Sequence, residues 1–271
     1  MACFLFFMGS LKYSLSAYVR HRMAVQSKYT LHSPFIYQFW SKVLKTPYRF
    51  SDYKTVEKTR AEMLKDERLI NRLDYGAGSR GPGMPSKHFR VSALARRSLV
   101  SRQKGELLYR IVHFYKPMNI LEFGTSLGLS ALYMAAAMPV ARIVSMEGCP
   151  ETAAIAISNF EKAGRKNITV LTGTFDEKLP DALGLLPKID LVFFDGNHRP
   201  GPTLKYWEAC LPRLHAGSIA VFDDIHWSAG MEKAWKTIIS RPEVKVSIDL
   251  FDPGILFFRE ELSKEDFVLR F

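Results

Sequence analysis

From Met118 onward the chain alternates short apolar runs with amphipathic stretches, and this alternation limits the fold more than any other feature. The runs are 119–123, 142–146, 168–171, 189–194, 218–222, 244–251 and 255–258. Most are rich in Val, Ile, Leu and Phe without polar alternation, as expected of strands covered on both faces. Stretches of helical pattern, including 130–138, 151–162, 204–214 and 232–239, separate the first six. That rhythm predicts a parallel sheet wound from right-handed βαβ units. Only Asp252-Pro253-Gly254 separates the last two runs, too few residues for a crossover, so they pair as an antiparallel hairpin. The expected fold class is α/β: a seven-stranded sheet of five parallel strands plus a closing antiparallel hairpin.

The region before Met118 differs. It reads as helical, with aromatic and basic residues interleaved. Ser33 suits a helix N-cap and Pro34 the first helical position, and Phe35, Ile36, Phe39, Trp40 and Val43 follow at helical spacing. A second helix is expected over about 56–73 and a third pattern over 91–114, ended by Pro117. Between them, Asp74-Tyr75-Gly76-Ala77-Gly78-Ser79-Arg80-Gly81-Pro82-Gly83 is too rich in Gly and Pro for regular structure, and reads as a loop that closes as a lid. No strand-like run precedes it, so it is not read as a nucleotide-binding turn. The division expected is a basic helical cap or lid segment, 1–104, and a sheet domain, 105–271.

Charge follows the same division. Through Pro117 there are 22 basic and 7 acidic residues, or +15; the remainder has 16 basic and 20 acidic, or −4, together the net +11. A basic segment attracts anionic partners, so RNA, an anionic small molecule and a membrane surface are all candidates. No apolar run reaches the roughly 18–20 residues of a spanning helix, so no stable membrane insertion is expected. The apolar start 1–9 has no basic residues before it and no convincing cleavage site, and reads as a helix start. Cys3, Cys149 and Cys210 form no C-x-x-C pair, which argues against disulfides or zinc and for a reducing, cytoplasmic setting. A homodimer is a candidate assembly.

Open α/β sheets bind ligands at the carboxyl ends of their strands. After the first run comes Glu122-Phe123-Gly124-Thr125-Ser126-Leu127-Gly128-Leu129-Ser130. Gly124 and Gly128 allow a tight turn and close approach of a ligand to backbone N–H groups. The spacing is neither that of a dinucleotide fingerprint nor that of a phosphate loop. Glu122 would repel a pyrophosphate and attract an ammonium group. Glu147, followed by Gly148, ends the second run 19 residues past Gly128, where a carboxylate accepts both hydroxyls of a ribose. A ligand with a ribose and a cationic amino-acid portion but no phosphate is S-adenosylmethionine.

The fourth run ends in Asp195-Gly196-Asn197-His198-Arg199, and the fifth in Asp223-Asp224-Ile225-His226-Trp227. Crowded carboxylates repel. A divalent cation relieves this, and oxygen-only ligands favour Mg²⁺, Mn²⁺ or Ca²⁺. The candidate metal ligands are therefore Asp195, Asp223 and Asp224. A cation there lowers the pKa of an acceptor hydroxyl, and His198 takes the proton. His226 is the alternative base or ligand. Asn197, Arg199, His226, Trp227 and Tyr75 are candidate substrate contacts.

These residues resemble the class I S-adenosylmethionine-dependent methyltransferases, in particular the catechol/caffeoyl-CoA O-methyltransferase-like group with its macrolide-sugar relatives. Glu122-x-Gly124-x-x-x-Gly128-x-Ser130, with Thr125 and Ser126 inside it, looks like the group's first motif, and Glu147 like its ribose acid. The resemblance implies a Rossmann-like sheet, an adenine lined by Gly173, Thr174 and Phe175, Asp195 near the cofactor, and Asp195, Asp223 and Asp224 as metal ligands. The catechol enzymes carry Asp-Asn at the last pair, and a catalytic Lys where this chain has His198; the sugar-modifying relatives share the His. The expected reaction is methyl transfer to an oxygen of a small hydroxylated acceptor. The alternatives are an RNA (tRNA) methyltransferase using the basic segment, and a non-catalytic cofactor-binding protein on the same fold.

Overall fold

The computed structural model describes residues 2–27, 32–73 and 87–271, with side chains from Tyr13 onward except Lys87. The lid expected over 74–83, and with it Tyr75, lies outside the described residues.

The N-terminal segment contains helices α1 (Ala2–Ala24), α2 (Pro34–Phe39) and α3 (Asp52–Met63), strands β1 (Leu69–Arg72) and β2 (Lys87–Arg90), and helix α4 (Val91–Ser98). Ser33 caps α2, its Oγ accepting from Ile36 N with Pro34 in the first turn, and a π-helical turn, Trp40–Leu44, continues it. The helix expected over 56–73 stops ten residues early. Its end is fixed locally: Asp66 Oδ1 accepts from Arg68 N at 3.0 Å, and the Asp66 carbonyl accepts from Ser92 N at 2.8 Å. Such side-chain bonds compete with helical ones. The chain then runs out as β1, antiparallel to β2, with Ile70 opposite Phe89.

The rest alternates α5 (Arg102–Tyr115), β3 (Asn119–Phe123), α6 (Leu129–Ala137), β4 (Arg142–Glu147), α7 (Pro150–Lys162), β5 (Ile168–Thr172), α8 (Phe175–Leu185), β6 (Leu191–Phe194), α9 (Pro200–Cys210), β7 (Ile219–Phe222), α10 (Ala229–Ile239), β8 (Val246–Asp249), β9 (Gly254–Phe257) and β10 (Glu265–Val268). Side chains cap these helices where the sequence supplies hydroxyls: Ser101 for α5, Thr174 in a capping box with Glu177 for α8, and Ser228 for α10.

Strand order is β10-β8-β9-β7-β6-β3-β4-β5. β3 to β7 are mutually parallel, and β9 runs antiparallel between β7 and β8. The α/β fold and its closing hairpin are those read from the sequence. One further strand, β10, adds parallel to β8 at the edge. Alternate residues of each strand feed opposite layers. Ile120, Ile143, Phe193, Val221 and Phe257 join one core with α5, α6 and α7, whereas Phe123, Met146, Phe194, Phe222 and Leu256 join another with α8, α9 and α10. Ile36, Phe39, Val43, Tyr53 and Val56 of the N-terminal segment lie in the first core, so that segment and the sheet share one interior. No helix among the described residues is long and apolar enough to cross a membrane.

Candidate active site

β3 pairs with β4 on one side and with β6 on the other. The winding therefore reverses at β3, which is where an open sheet leaves a crevice beyond its strand ends.

The turn after β3 is held from below. Gly124 N and Thr125 N both donate to Met146 O at 3.0 Å. Gly124 has φ +96, and a Cβ there would stand 2.2 Å from the Asp195 carbonyl oxygen. Glycine is thus required twice, by conformation and by space. Ser126 N donates to Glu147 Oε2 at 2.8 Å and Cys149 N to Glu147 Oε1 at 2.9 Å, so one carboxylate joins this turn to the start of α7. Ser98 and Ser126 share a hydroxyl hydrogen bond at 3.0 Å, tying α4 to the same turn. Glu122 lies underneath, fully buried. Ser145 Oγ donates to its Oε2 at 2.5 Å, and Ser145 Oγ is itself 2.6 Å from Thr125 Oγ1. Burial pushes the Glu122 carboxyl up to about 7, against the hydroxyls of Ser130 and Ser145. In this conformation Glu122 has no accessible surface on which to meet a ligand; it braces the turn. After β5, Gly173 has φ +145 and Thr174 caps α8. Phe175 packs edge-on against Phe123, ring centroids 5.4 Å apart, and passes over Gly196, where a Cβ would meet its Cζ at 2.6 Å.

Asp195 and Asp223 follow two paired strands, β6 and β7, and Asp195 feels the charges of Asp223 and Asp224; among the described residues the carboxylates close enough together to hold a metal ion are Asp223, Asp224 and Asp252, without Asp195. His198 stands between Asp224 and Asp195, Nδ1 3.6 Å from Asp224 Oδ2 and Nε2 3.9 Å from Asp195 Oδ1. Burial lowers the His198 pKa below the ordinary histidine value. Burial, then the charge of Asp223, raises the Asp195 carboxyl well above the carboxylate range and brings Asp224 to about 8. Ser126, Asn197 and Asp224 all have φ between +48 and +56. Such conformations, uncommon outside glycine, cluster at functional sites. Asn197 Oδ1 is buried without a hydrogen-bond partner among the described residues. Trp227 is 57% exposed, its ring 6.4 Å from that of His198.

Two members of the cluster were missed. Asp252, read only as a turn residue of the hairpin, brings a carboxylate oxygen within 4.8 Å of oxygens of Asp223 and Asp224. Lys104, assigned to the cap, reaches in from α5: its Nζ donates to both oxygens of Asp223 at 2.8 Å and lies 3.0 Å from Asp252 Oδ2. Neither follows one of the parallel strands β3 to β7: Lys104 lies in α5 and Asp252 in the turn between β8 and β9. His226 corrects the reading that made it an alternative base, ligand or substrate contact. Its Nε2 is 2.7 Å from Asp249 Oδ2 and its ring stacks on Phe251, so Asp249, not the rim carboxylates, engages it. Arg199 occupies the N-cap position of α9, ahead of Pro200.

A family model described as "Methyltransferase domain" matches residues 121–225, from β3 through the Asp223-Asp224 pair. A catechol O-methyltransferase of Sus scrofa is 30% identical over 131 residues, 46% of this chain and 70% of that relative. The chain belongs to the class I S-adenosylmethionine-dependent O-methyltransferases. A catechol O-methyltransferase of Niastella koreensis is 32% identical over 130 residues, 46% of this chain and 58% of the relative, so the chain spans less than two thirds of that one. The solved O-methyltransferase from Bacillus cereus in complex with SAH shares the fold, with a TM-score of 0.52 at 20% identity over 82% of this chain and 96% of that chain.

The raised carboxyl of Asp224 has a measurable cost. Folded Asp224 holds a proton up to about pH 8, whereas an unfolded Asp releases it near pH 3.9. Between these values the folded state binds the extra proton, so its stability falls as pH rises. Asp224→Asn removes Asp224's share of this slope and keeps a residue type that tolerates φ +56. The variant should melt several degrees above the natural chain at pH 8.5, at about 2–4 °C per kcal/mol for a chain of this size. The gap should close toward pH 4. Calorimetry across that range checks it.

Proposed function

We propose that this chain transfers the methyl group of S-adenosylmethionine to an oxygen of a small hydroxylated acceptor. The observation that carries the reading is His198, half-buried beside Asp195 and Asp224 at the strand ends next to the Gly124–Gly128 turn. The residues fit the cofactor. Glu147 stands at the end of β4 for a ribose diol, Phe175 beside Gly196 for an adenine, and the unpartnered Asn197 Oδ1 is an acceptor for the donors such a ligand brings. S-adenosylmethionine, when bound, supplies a sulfonium-activated methyl group.

His198 is the proposed base. Its lowered pKa keeps it neutral at pH 7, ready to take the acceptor's proton at Nε2. The negative charges of Asp223 and Asp252 favour the imidazolium that forms. The oxygen donors of Asp223, Asp224 and Asp252, with Asp195 beside them, suit a hard divalent cation. Such a cation would lower the pKa of the acceptor hydroxyl when bound. Much of the remaining work is positioning, because a methyl transfer in line needs the acceptor oxygen held against the methyl carbon. Trp227 is the exposed wall on which the acceptor docks.

A labelled methyl donor offered with pools of phenols, sugars, acyl-CoA esters and RNA tests the reading. Label in a small-molecule pool supports it; label in RNA alone, or in none while the donor binds, overturns it. Trp227→Ala should raise the acceptor KM about tenfold with a smaller change in kcat, since the lost contact binds ground state and transition state alike. Steady-state kinetics on the labelled pool measures that split.

A further inference from the structure

The carboxylate rim already contains a cation. We infer that the Lys104 ammonium is its resident counter-charge and competes with divalent ions for the same oxygens. Nζ lies 2.8 Å from each oxygen of Asp223 and 3.0 Å from Asp252 Oδ2. Two of the three residues that could hold a metal ion are therefore already engaged. The side chain is 16% exposed. Burial works against its charge, and Asp223 and Asp252 more than offset that, raising its pKa.

The ammonium is also held in place from behind. Lys104 lies in the first turn of α5, where Ser101 Oγ accepts from Lys104 N at 3.2 Å. The next residue, Gly105, lets α5 press onto α6, since a Cβ there would stand 2.2 Å from Tyr133 Cε2. The base of the side chain thus has little freedom, and the stem of Lys104 spans from that fixed turn to the rim. An ion entering among Asp223, Asp224 and Asp252 meets a positive charge within about 3 Å of the same oxygens, where like charges repel strongly. It must push the ammonium aside or bind weakly. Lys104 thereby sets the divalent affinity of the site, as a tethered competitor and not as a ligand.

The inference builds on the proposed cation site but is read by binding alone. A chain that moves no methyl group can still pass the test, and one that methylates can still fail it. Free Mn²⁺ is followed by electron paramagnetic resonance while metal-free natural protein, Lys104→Gln and Lys104→Arg are titrated. Lys104→Gln should bind Mn²⁺ at least about tenfold more tightly than the natural chain. Lys104→Arg, which keeps the charge, should not, and adding Asp252→Asn to Lys104→Gln should cancel the gain. A Lys104→Gln chain that unfolds without metal should regain its circular-dichroism signal as Mn²⁺ is added. Equal affinity in the natural and Lys104→Gln chains overturns the inference. So does an equal gain in Lys104→Arg, or an unfolded Lys104→Gln that Mn²⁺ fails to restore.

Discussion

Alanine at position 198 is expected to slow methyl transfer about 10²–10⁴-fold, the usual worth of a positioned general base. The dissociation constant of the cofactor should stay within about twofold, because Glu147 and Phe175 stand at the ends of β4 and β5, and Asn197, which follows β6 beside His198, is kept in the variant. The pH profile adds a second readout. Burial lowers the His198 pKa, so the natural chain should keep its rate down past the ordinary histidine value of about 6.5 before the acid limb falls. In the alanine variant that limb should disappear, and the residual rate should rise with pH as the acceptor ionises unaided. Rates from pH 5 to 9 under saturating donor check both. A variant retaining more than about a tenth of the natural kcat would remove His198 from the role of base.

Gly124→Ala should do the largest structural damage. It combines a φ of +96 with a Cβ placed 2.2 Å from the Asp195 carbonyl oxygen. The obstacle is backbone and cannot rotate away. β3 and β6 pair along this stretch, and Asp195 N donates to Phe123 O at 2.9 Å, so relief requires their ends to separate. A loss of about 3 kcal/mol or more is expected, along with cofactor binding. Gly184→Ala is the matched control. It lies inside α8 with nothing within 4 Å of the added Cβ, and should stabilise by about 0.5–1 kcal/mol. Chemical denaturation of both variants, with donor binding by calorimetry, separates the two cases.

The sheet was readable because burial on both faces removes polar alternation. β6, β7 and β9 are buried at every residue, and each stands out as an unbroken apolar run. Asp195 and Asp223 were readable for the same reason, since they follow directly on such runs. Lys104 and Asp252 were not. A lysine in a basic segment looks like a solvated charge, and an Asp before Pro-Gly looks like a turn; only the folded chain brings them to Asp223. β1 was hidden because the apolar spacing of α3 continues past Met63, and what ends the helix is the hydrogen bonding of Asp66. β10 was hidden because its two leading residues, Glu265 and Asp266, are charged and exposed at the edge of the sheet. His226 misled because proximity in sequence to Asp223 and Asp224 says nothing about which way a side chain leaves the turn.

The way α1 is fastened has a consequence for the order of folding. Tyr13 and Arg20 bond to Glu232, His21 bonds to the Asp249 carbonyl, and Gln26 exchanges hydrogen bonds with Val268, at separations of 212 to 242 residues. During synthesis α1 leaves the ribosome long before any of these partners exists. It must wait, with Ala17 and His21, which the fold buries, still uncovered, until almost the whole sheet has emerged. Contacts so distant in sequence are slow to form and leave apolar surface open in the interval. α1 is therefore open to chaperone capture for most of the time the sheet is being made, and it docks as a closing latch after the sheet is built.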